Sequence, residues 1–237
     1  MRSCRLAHHP ERDTGYAEFA EKSAFPGSGS ADFLVRYPAI QPHMLLIEHR
    51  VNTLDALARV PEDRGIEIDV RDYDGDLRCI HDPLLSGERL DDLLAHYRHA
   101  LAIFNVKCDG LERRIEELAA RHGIRDYFFL DVANPTLVQM VRRGVRQVAV
   151  RYSEFEPLEF ALAFAGKADW VWIDCFTRLP LDREIYAKLK AHFRVCLVSP
   201  ELQGHPRAMI ADFKRQLHDL PIDAVCTDFC EDWNGAK

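Results

Sequence analysis

Two carboxylates and a histidine follow one another closely in residues 65–83, "GIEIDVRDYDGDLRCIHDP". Glu67 and Asp69 lie two residues apart inside an apolar run, and His81 follows after a short acidic turn. Alternate side chains of a β-strand point to the same face, so both carboxylates should project together. Because an unpaired buried carboxylate is costly, the pair needs a cation. The candidate cations are Arg50, Arg71, Lys107 and a divalent metal ion, for which paired oxygen donors favour Mg²⁺ or Ca²⁺ over zinc.

Strand-like and helical patterns alternate from Met44 onward, about eight times each. The strand-like runs are residues 44–50, 65–71, 101–108, 127–132, 147–152, 170–176, 194–199 and 223–229. Nearly continuous apolar strands separated by helices are typical of a parallel sheet covered by helices. The sequence therefore predicts an α/β fold, a single (β/α)8 TIM-type barrel with parallel strands over residues 44–237. A doubly wound open sheet is the alternative, but no GxGxxG follows the first strand.

The predicted barrel brings many polar residues to one rim, because functional groups of such barrels lie at the carboxyl ends of the strands. Those residues are His49, Arg50, Glu67, Asp69, Arg71, His81, Asn105, Lys107, Asp109, Asp131, Asn134, Arg151, Glu154, Asp174, Ser199, Glu201, Thr227 and Asp228. Several of them lie inside apolar strands. A set of solvated loop residues does not explain that placement, so the rim is the predicted functional face.

Three segments, "EHRVNTLDAL", "GIEIDVRDYDGDLRCIHDP" and "FNVKCDG", resemble the glycerophosphodiester phosphodiesterase family. That family belongs to the wider group of phospholipase-C-like phosphodiesterase barrels. Its pattern is His-Arg and Asn-Thr after the first strand, E-x-D on the second, His-Asp after a glycine-containing turn, and E-x-K on the third. The resemblance covers residues 44–109 and implies a metal-dependent phosphoric diester hydrolase.

The resemblance also implies a role for seven residues. These are the general acid/base pair His49 and His81, the metal ligands Glu67, Asp69 and Asn105, and the phosphate-binding Arg50 and Lys107. The implied cofactor is a divalent metal ion, Mg²⁺ or Ca²⁺, and the implied substrate is a small-molecule or lipid-derived phosphodiester. A phosphodiester needs its anionic oxygens neutralised, its nucleophile deprotonated and its leaving group protonated. Two histidines can exchange the last two roles at neutral pH.

Two features depart from the family pattern. Asn105 stands where the family has a glutamate as third metal ligand, so either the amide oxygen or a carboxylate of Asp131 or Asp174 would complete the set. Only two residues separate His49 from Asn52, where the family has a longer loop. Two alternatives therefore stay open. One is a non-catalytic or regulatory barrel that binds a phosphorylated ligand, and the other is a metal-independent lyase that releases a cyclic phosphate.

Composition indicates which other classes of protein to exclude. The chain has 237 residues, a formal net charge of -7 and a pI of about 5.9, with no run rich in lysine and arginine. This acidic balance gives no support for nucleic-acid binding. No apolar run approaches the roughly 18 residues of a membrane span, and the N-terminus lacks the apolar core of a secretory signal. We therefore expect a cytoplasmic protein with no nucleic-acid partner and no transmembrane segment.

Residues 1–43 differ from the rest of the chain, because "SAFPGSGSADF" is rich in Gly, Ser and Pro and no helical or strand period persists. We expect a poorly structured leader there. Met44 directly precedes the first strong strand, so the leader is also open to interpretation as a non-native upstream extension.

The seven cysteines are odd in number and form no CxxC motif. Most lie in or beside predicted strands. We expect reduced, buried thiols rather than a zinc site or a disulfide framework.

Overall fold

The structure, a computed structural model, describes residues 44–234. The expectation of a leader in residues 1–43 lies outside the described residues. The elements of this part are β1 (Leu45–Glu48), α1 (Leu54–Leu57), β2 (Gly65–Tyr73), β3 (Asp76–Cys79), β4 (Glu88–Arg89), α2 (Leu90–Ala95), β5 (Leu101–Val106), α3 (Glu112–Arg121), β6 (Tyr127–Leu130), α4 (Asn134–Arg142), β7 (Ala149–Tyr152), α5 (Leu158–Leu162), β8 (Trp170–Ile173), α6 (Arg183–Lys190), β9 (Arg194–Val198), a 3₁₀ turn (Pro200–Gln203), α7 (Met209–Gln216), β10 (Ala224–Thr227) and α8 (Cys230–Trp233).

Eight of these strands are parallel neighbours in the order β1, β2, β5, β6, β7, β8, β9 and β10, and β10 pairs with β1. Seven of the joins are regular ladders. The join between β6 and β7 is a single parallel bridge between Phe129 and Val148, next to a 3.0 Å hydrogen bond from the Phe129 N–H to the Gln147 carbonyl. The strand order therefore returns to its start, and the predicted TIM-type barrel is confirmed.

A short antiparallel hairpin follows β2, where the sequence predicted only a turn and a loop. Strand β2 continues to Tyr73 and pairs with β3, which pairs with β4. The turn falls at Asp74 and Gly75, both with positive φ (53° and 80°). Glycine adopts this conformation readily and aspartate tolerates it. The loop between β3 and β4 carries His81.

Alternation within the strands separates a barrel interior from an outer layer packed against the helices. In β5, Leu101 and Ile103 belong to the interior cluster, whereas Ala102 and Phe104 belong to the outer one. In β2 the outer residues Ile66, Ile68 and Val70 are fully buried. Glu67 and Asp69 alternate with them and therefore point into the barrel. This register explains why an apolar strand carries two carboxylates.

Local signals in the sequence fix several helix boundaries. The Thr53 hydroxyl accepts a 3.1 Å hydrogen bond from the Ala56 N–H and caps α1. Gly123 and Gly144, with φ of 71° and 81°, follow α3 and α4 in the left-handed conformation that ends helices. These signals account for where the three helices begin or end. None of the helices in residues 44–234 is long and apolar enough to cross a membrane.

The cysteines of the described part are free thiols, as expected. Five are buried, namely Cys79, Cys175, Cys196, Cys226 and Cys230, and Cys108 is half-buried. Burial raises the pKa of the Cys175 and Cys230 thiols to about 12, so these groups stay protonated at neutral pH. They serve packing rather than chemistry.

Candidate active site

A cavity of about 130 Å³ lies at the carboxyl ends of the barrel strands. Its lining includes every residue to which the family resemblance gave a role. Those residues are His49, Arg50, Glu67, Asp69, His81, Asn105 and Lys107. The structure thus brings together side chains from the ends of β1, β2 and β5 and from the hairpin loop, while their roles remain predictions.

Glu67 is buried in the barrel mouth and held by two hydrogen bonds. Its Oε2 accepts from the Arg50 N–H at 2.8 Å, and its Oε1 accepts from the Asn105 Nδ2 at 2.7 Å. Arg50 has a φ of 54°, a left-handed conformation at the end of β1. Burial, and after it the negative charge of Asp69, raises the pKa of the Glu67 carboxyl. A nearby cation would oppose that rise.

Asp69 is bound on one side by an asparagine that sequence reasoning treated only as part of a motif. The Asn52 Nδ2 donates to Asp69 Oδ2 at 2.8 Å, and the Asn52 Oδ1 accepts from the Asp69 N–H at 2.9 Å. On the other side, the Lys107 Nζ lies 3.3 Å from Asp69 Oδ1 and 3.4 Å from Asp131 Oδ2. The contact to Oδ1 is an ion pair without hydrogen-bond geometry. Asn52 therefore fixes the carboxylate, and Lys107 supplies a positive charge.

Two buried oxygens beside the cavity have no hydrogen-bond partner within residues 44–234, Asp69 Oδ1 and Asn105 Oδ1. Buried oxygens are rarely left in this state without a function or an unrecorded partner. Hard divalent cations take carboxylate and amide oxygens as ligands. In the same part of the chain, no three His, Cys, Asp or Glu side chains form a group that could hold a metal ion. A Mg²⁺ or Ca²⁺ here would have two carboxylates and an amide oxygen as its candidate ligands.

Each histidine of the cavity is hydrogen-bonded to an aspartate. His49 Nδ1 lies 2.9 Å from Asp228 Oδ1, and His81 Nδ1 lies 2.9 Å from Asp82 Oδ1. A carboxylate at Nδ1 favours the tautomer with its proton there, so Nε2 is left to exchange protons. The sequence placed Asp228 on the rim but gave no sign that it reaches His49, since the two residues are 179 positions apart.

The far side of the cavity is a network centred on Arg151. Its guanidinium pairs with Asp131 and Asp174, and it lies 2.9 Å from Glu156. Burial raises the pKa of Asp174 to about 6, although the charge of Arg151 opposes the rise. The carboxylates of Asp131 and Asp174 are both paired with Arg151. Asn105 is therefore a better candidate for the third metal ligand than either of them.

The rim loop after β8 is held by a carboxylate from the loop after β7. Glu154 accepts hydrogen bonds from the N–H groups of Phe176 (3.2 Å), Thr177 (2.7 Å) and Arg178 (2.8 Å), and from the Thr177 hydroxyl (2.8 Å). Burial alone would raise the pKa of Glu154. Hydrogen bonds from its own backbone N–H, from Thr177 and from Arg178 outweigh burial and lower the pKa to about 2. The charged form of Glu154 therefore stabilises the folded rim.

We expect Glu154→Gln to lower the free energy of unfolding by about 1–2 kcal/mol at pH 7, a value reduced for partial exposure to solvent. Because the folded pKa lies below the ordinary value of 4.5, this stabilisation is present above pH 4.5 and disappears as the pH falls toward 2. Urea unfolding at several pH values measures the difference. Glu62→Gln, at an exposed position, is the matched control. A difference that stayed constant from pH 7 to pH 3 would contradict the assignment.

No family model and no curated protein matches this chain. Solved structures do. One is the glycerophosphodiester phosphodiesterase from Agrobacterium tumefaciens str. C58, with 18% sequence identity and a TM-score of 0.61, covering 81% of this chain and 100% of that one. Another is a glycerophosphoryl diester phosphodiesterase from Parabacteroides distasonis ATCC 8503, with 12% identity and a TM-score of 0.57, covering 85% of this chain and 88% of that one. At such identities the likeness establishes a shared fold.

Proposed function

We propose that this chain is a metal-dependent phosphoric diester hydrolase that uses His49 and His81 as general base and general acid. One observation carries the proposal: a single cavity contains two aspartate-linked histidines, two buried carboxylates and the cationic Lys107. The names of the two solved structures, which share this barrel, agree with it. Each of these groups has a use in phosphodiester hydrolysis, whereas a purely structural rim has no need of them all.

The charges of the cavity suit an anionic phosphate. Arg50 and Lys107 line it and would contact the non-bridging oxygens. Glu67, Asp69 and Asn105 would hold a Mg²⁺ or Ca²⁺, which when bound supplies positive charge against the developing charge of the phosphoryl group. Asn52 keeps the Asp69 carboxylate oriented through its two hydrogen bonds.

The histidines move the protons. His49 Nε2 accepts a proton from water, or from a neighbouring hydroxyl of the substrate, as that oxygen forms its bond to phosphorus. His81 Nε2 donates a proton to the alcohol oxygen as its bond to phosphorus breaks. We assign the acid to His81 because its side chain is 40% exposed, against 19% for His49, and the leaving alcohol departs toward solvent. Asp228 and Asp82 orient the two rings through their contacts to Nδ1.

Hydrolysis of bis(p-nitrophenyl) phosphate by the full chain tests the proposal. We expect release of nitrophenol that requires Mg²⁺ or Ca²⁺ and stops on addition of EDTA. Activity that survives EDTA, with a cyclic product from a substrate that has a neighbouring hydroxyl, would instead select the metal-independent lyase. Binding of a phosphorylated ligand without any turnover would select the non-catalytic barrel.

Asp228→Asn should lower kcat by roughly tenfold and leave KM unchanged, because Asp228 acts on His49 rather than on the substrate. His218 and Asp219 provide a matched control, because they lie outside the cavity in the segment between α7 and β10. The His218 Nδ1 lies 2.7 Å from the Asp219 Oδ1. Asp219→Asn should leave kcat unaffected. Steady-state kinetics of the wild type, Asp228→Asn and Asp219→Asn measure these differences. An unchanged kcat in Asp228→Asn would show that this residue has no part in the mechanism.

A further inference from the structure

Exposed large apolar side chains of residues 44–234 are confined to one face of the barrel. They are Tyr73, Leu84, Leu85 and Phe155, with exposed fractions of 39%, 92%, 52% and 72%. Tyr73 ends β2, the two leucines lie between β3 and β4, and Phe155 follows β7. All four therefore lie beyond the carboxyl ends of the strands, on the face that contains the cavity. Scattered apolar side chains need no explanation, but a set confined to the functional face does. We name these four residues the apolar rim.

The apolar rim flanks the cavity on two sides. Around the barrel, β2 and β7 are separated by two strands in one direction and by four in the other. Leu84 follows His81 by three residues, so one apolar group shares a loop with a proposed catalytic residue. The Phe155 ring lies 5.8 Å from the ring of Phe176, in the loop that Glu154 holds. A molecule bound in the cavity would therefore pass between apolar side chains as it leaves the barrel.

The conformation of Leu84 supports a role in binding. Its φ is 63°, in the left-handed region that costs an L-residue with a Cβ atom about 1–2 kcal/mol. Its side chain is nevertheless 92% exposed, so no packing in the described part of the chain compensates. Backbone strain of this kind concentrates at functional sites. Burial of the leucine against an apolar partner would offset the strain.

The cavity itself is small and polar, so it suits a charged group better than an apolar chain. Its volume is about 130 Å³. Charged residues dominate its lining, including Glu67, Asp69, Lys107 and Arg151. A phosphate group with a few polar atoms fits such a space. Any hydrocarbon part of a phosphodiester would lie outside it, between the apolar side chains of the rim.

The charge beside the apolar rim restricts the kind of surface that it fits. Asp74 and Asp82 are exposed next to its members, whereas the exposed Asp72 is paired with Arg114 at 2.9 Å. The whole chain has a net charge of -7. These carboxylates would repel an anionic lipid surface. A zwitterionic surface, with its phosphocholine groups, presents apolar chains without that repulsion.

We propose that the apolar rim inserts into a zwitterionic lipid surface, and that the phosphodiester held in the cavity is an amphiphile whose chains stay in that surface. Interfacial binding of this kind scales with the apolar area that is buried. The identity of the substrate rests on the proposed function, whereas the binding to lipid does not. The two can therefore fail separately.

Sedimentation of the full chain with sucrose-loaded phosphatidylcholine vesicles tests the proposal. We expect the wild-type chain to pellet with the vesicles and both Leu84→Ser/Leu85→Ser and Phe155→Ser to partition at least about tenfold more weakly. Lys167→Ser, an exposed position on the opposite face of the barrel, should partition as the wild type does. His49→Ala should also bind vesicles normally, because this binding does not depend on the chemistry. Circular dichroism verifies that each variant is folded.

Three results would overturn the proposal. The first is a wild-type chain that stays in the supernatant. The second is equal partitioning of the wild type and the folded Leu84→Ser/Leu85→Ser and Phe155→Ser variants. The third is self-association of the wild type that the Phe155→Ser change abolishes, because the apolar rim would then be the contact surface of a second copy. A wild-type chain that binds vesicles but hydrolyses no phosphodiester would refute the proposed function and leave the proposal of lipid binding intact.

Discussion

Replacement of His49 or His81 by alanine is expected to lower hydrolysis of an alkyl phosphodiester by about 10²–10⁴-fold, the contribution of a positioned acid or base. Without His49 the nucleophile keeps its proton, and without His81 the alkoxide leaves unprotonated. Neither side chain belongs to the buried core, so both variants should fold. Turnover of glycerophosphocholine, followed as released choline, measures the loss for an alcohol leaving group.

The assignment of acid and base predicts a difference between substrates. Nitrophenolate is a stable anion that leaves without a proton, so His81→Ala should lose much less activity on the aryl diester than on the alkyl diester. His49→Ala should lose similar activity on both, since each substrate needs an activated nucleophile. The reverse pattern would exchange the two roles. His218→Ala removes a histidine that also pairs with an aspartate but lies outside the cavity, and it should retain full activity on both substrates.

The barrel can be predicted from the sequence because the signals for its strands and helices are local. Each strand is a short apolar run, each helix has its own boundary signals, and the alternation of the two identifies the fold class. Side chains alternate between the two faces of a strand, so the apolar residues of β2 point outward and Glu67 and Asp69 between them point inward. In the described part, every predicted strand is present, and the family resemblance names seven residues that the fold brings to one cavity.

The pairings across the cavity were beyond sequence reasoning. Asp228 reaches His49 only because β10 lies beside β1 when the barrel closes. Arg151 binds Asp131 and Asp174 because three successive strands of the ring end at the same level. No periodicity encodes which polar residue meets which at a rim that eight strands share. The β3–β4 hairpin was missed for another reason, since strands of four and two residues are too short to show alternation.

Asn105 raises the question of how this site compensates for a missing carboxylate. Its Nδ2 donates to Glu67, and its Oδ1 is one of the two buried oxygens beside the cavity that have no hydrogen-bond partner in residues 44–234. An aspartate at this position would add a negative charge next to Glu67 and Asp69. Repulsion among three buried carboxylates should destabilise the metal-free chain by about 1–3 kcal/mol, and attraction should tighten divalent cation binding by about 10- to 100-fold.

Asn105→Asp and Asp69→Asn are therefore expected to change metal affinity in opposite directions. Asp69→Asn removes one of the two charges that attract the metal, so it should weaken Mg²⁺ or Ca²⁺ binding by at least about tenfold. Titration calorimetry gives the affinity directly. Thermal unfolding gives it independently of activity, because a ligand at about 100 times its Kd stabilises the folded state by about 2.7 kcal/mol. EDTA should remove this stabilisation from the wild type.

Asn134→Asp is the matched control, because it adds the same charge at an exposed position at the start of α4, outside the cavity. It should leave the cation affinity close to that of the wild type. If Asn105→Asp destabilised the chain but neither variant altered cation binding, Lys107 rather than a metal would be the cation that neutralises Asp69. The experiment distinguishes a divalent metal ion from the Lys107 ammonium group as the cation beside Glu67 and Asp69. An internal ammonium group responds neither to EDTA nor to added Mg²⁺ or Ca²⁺.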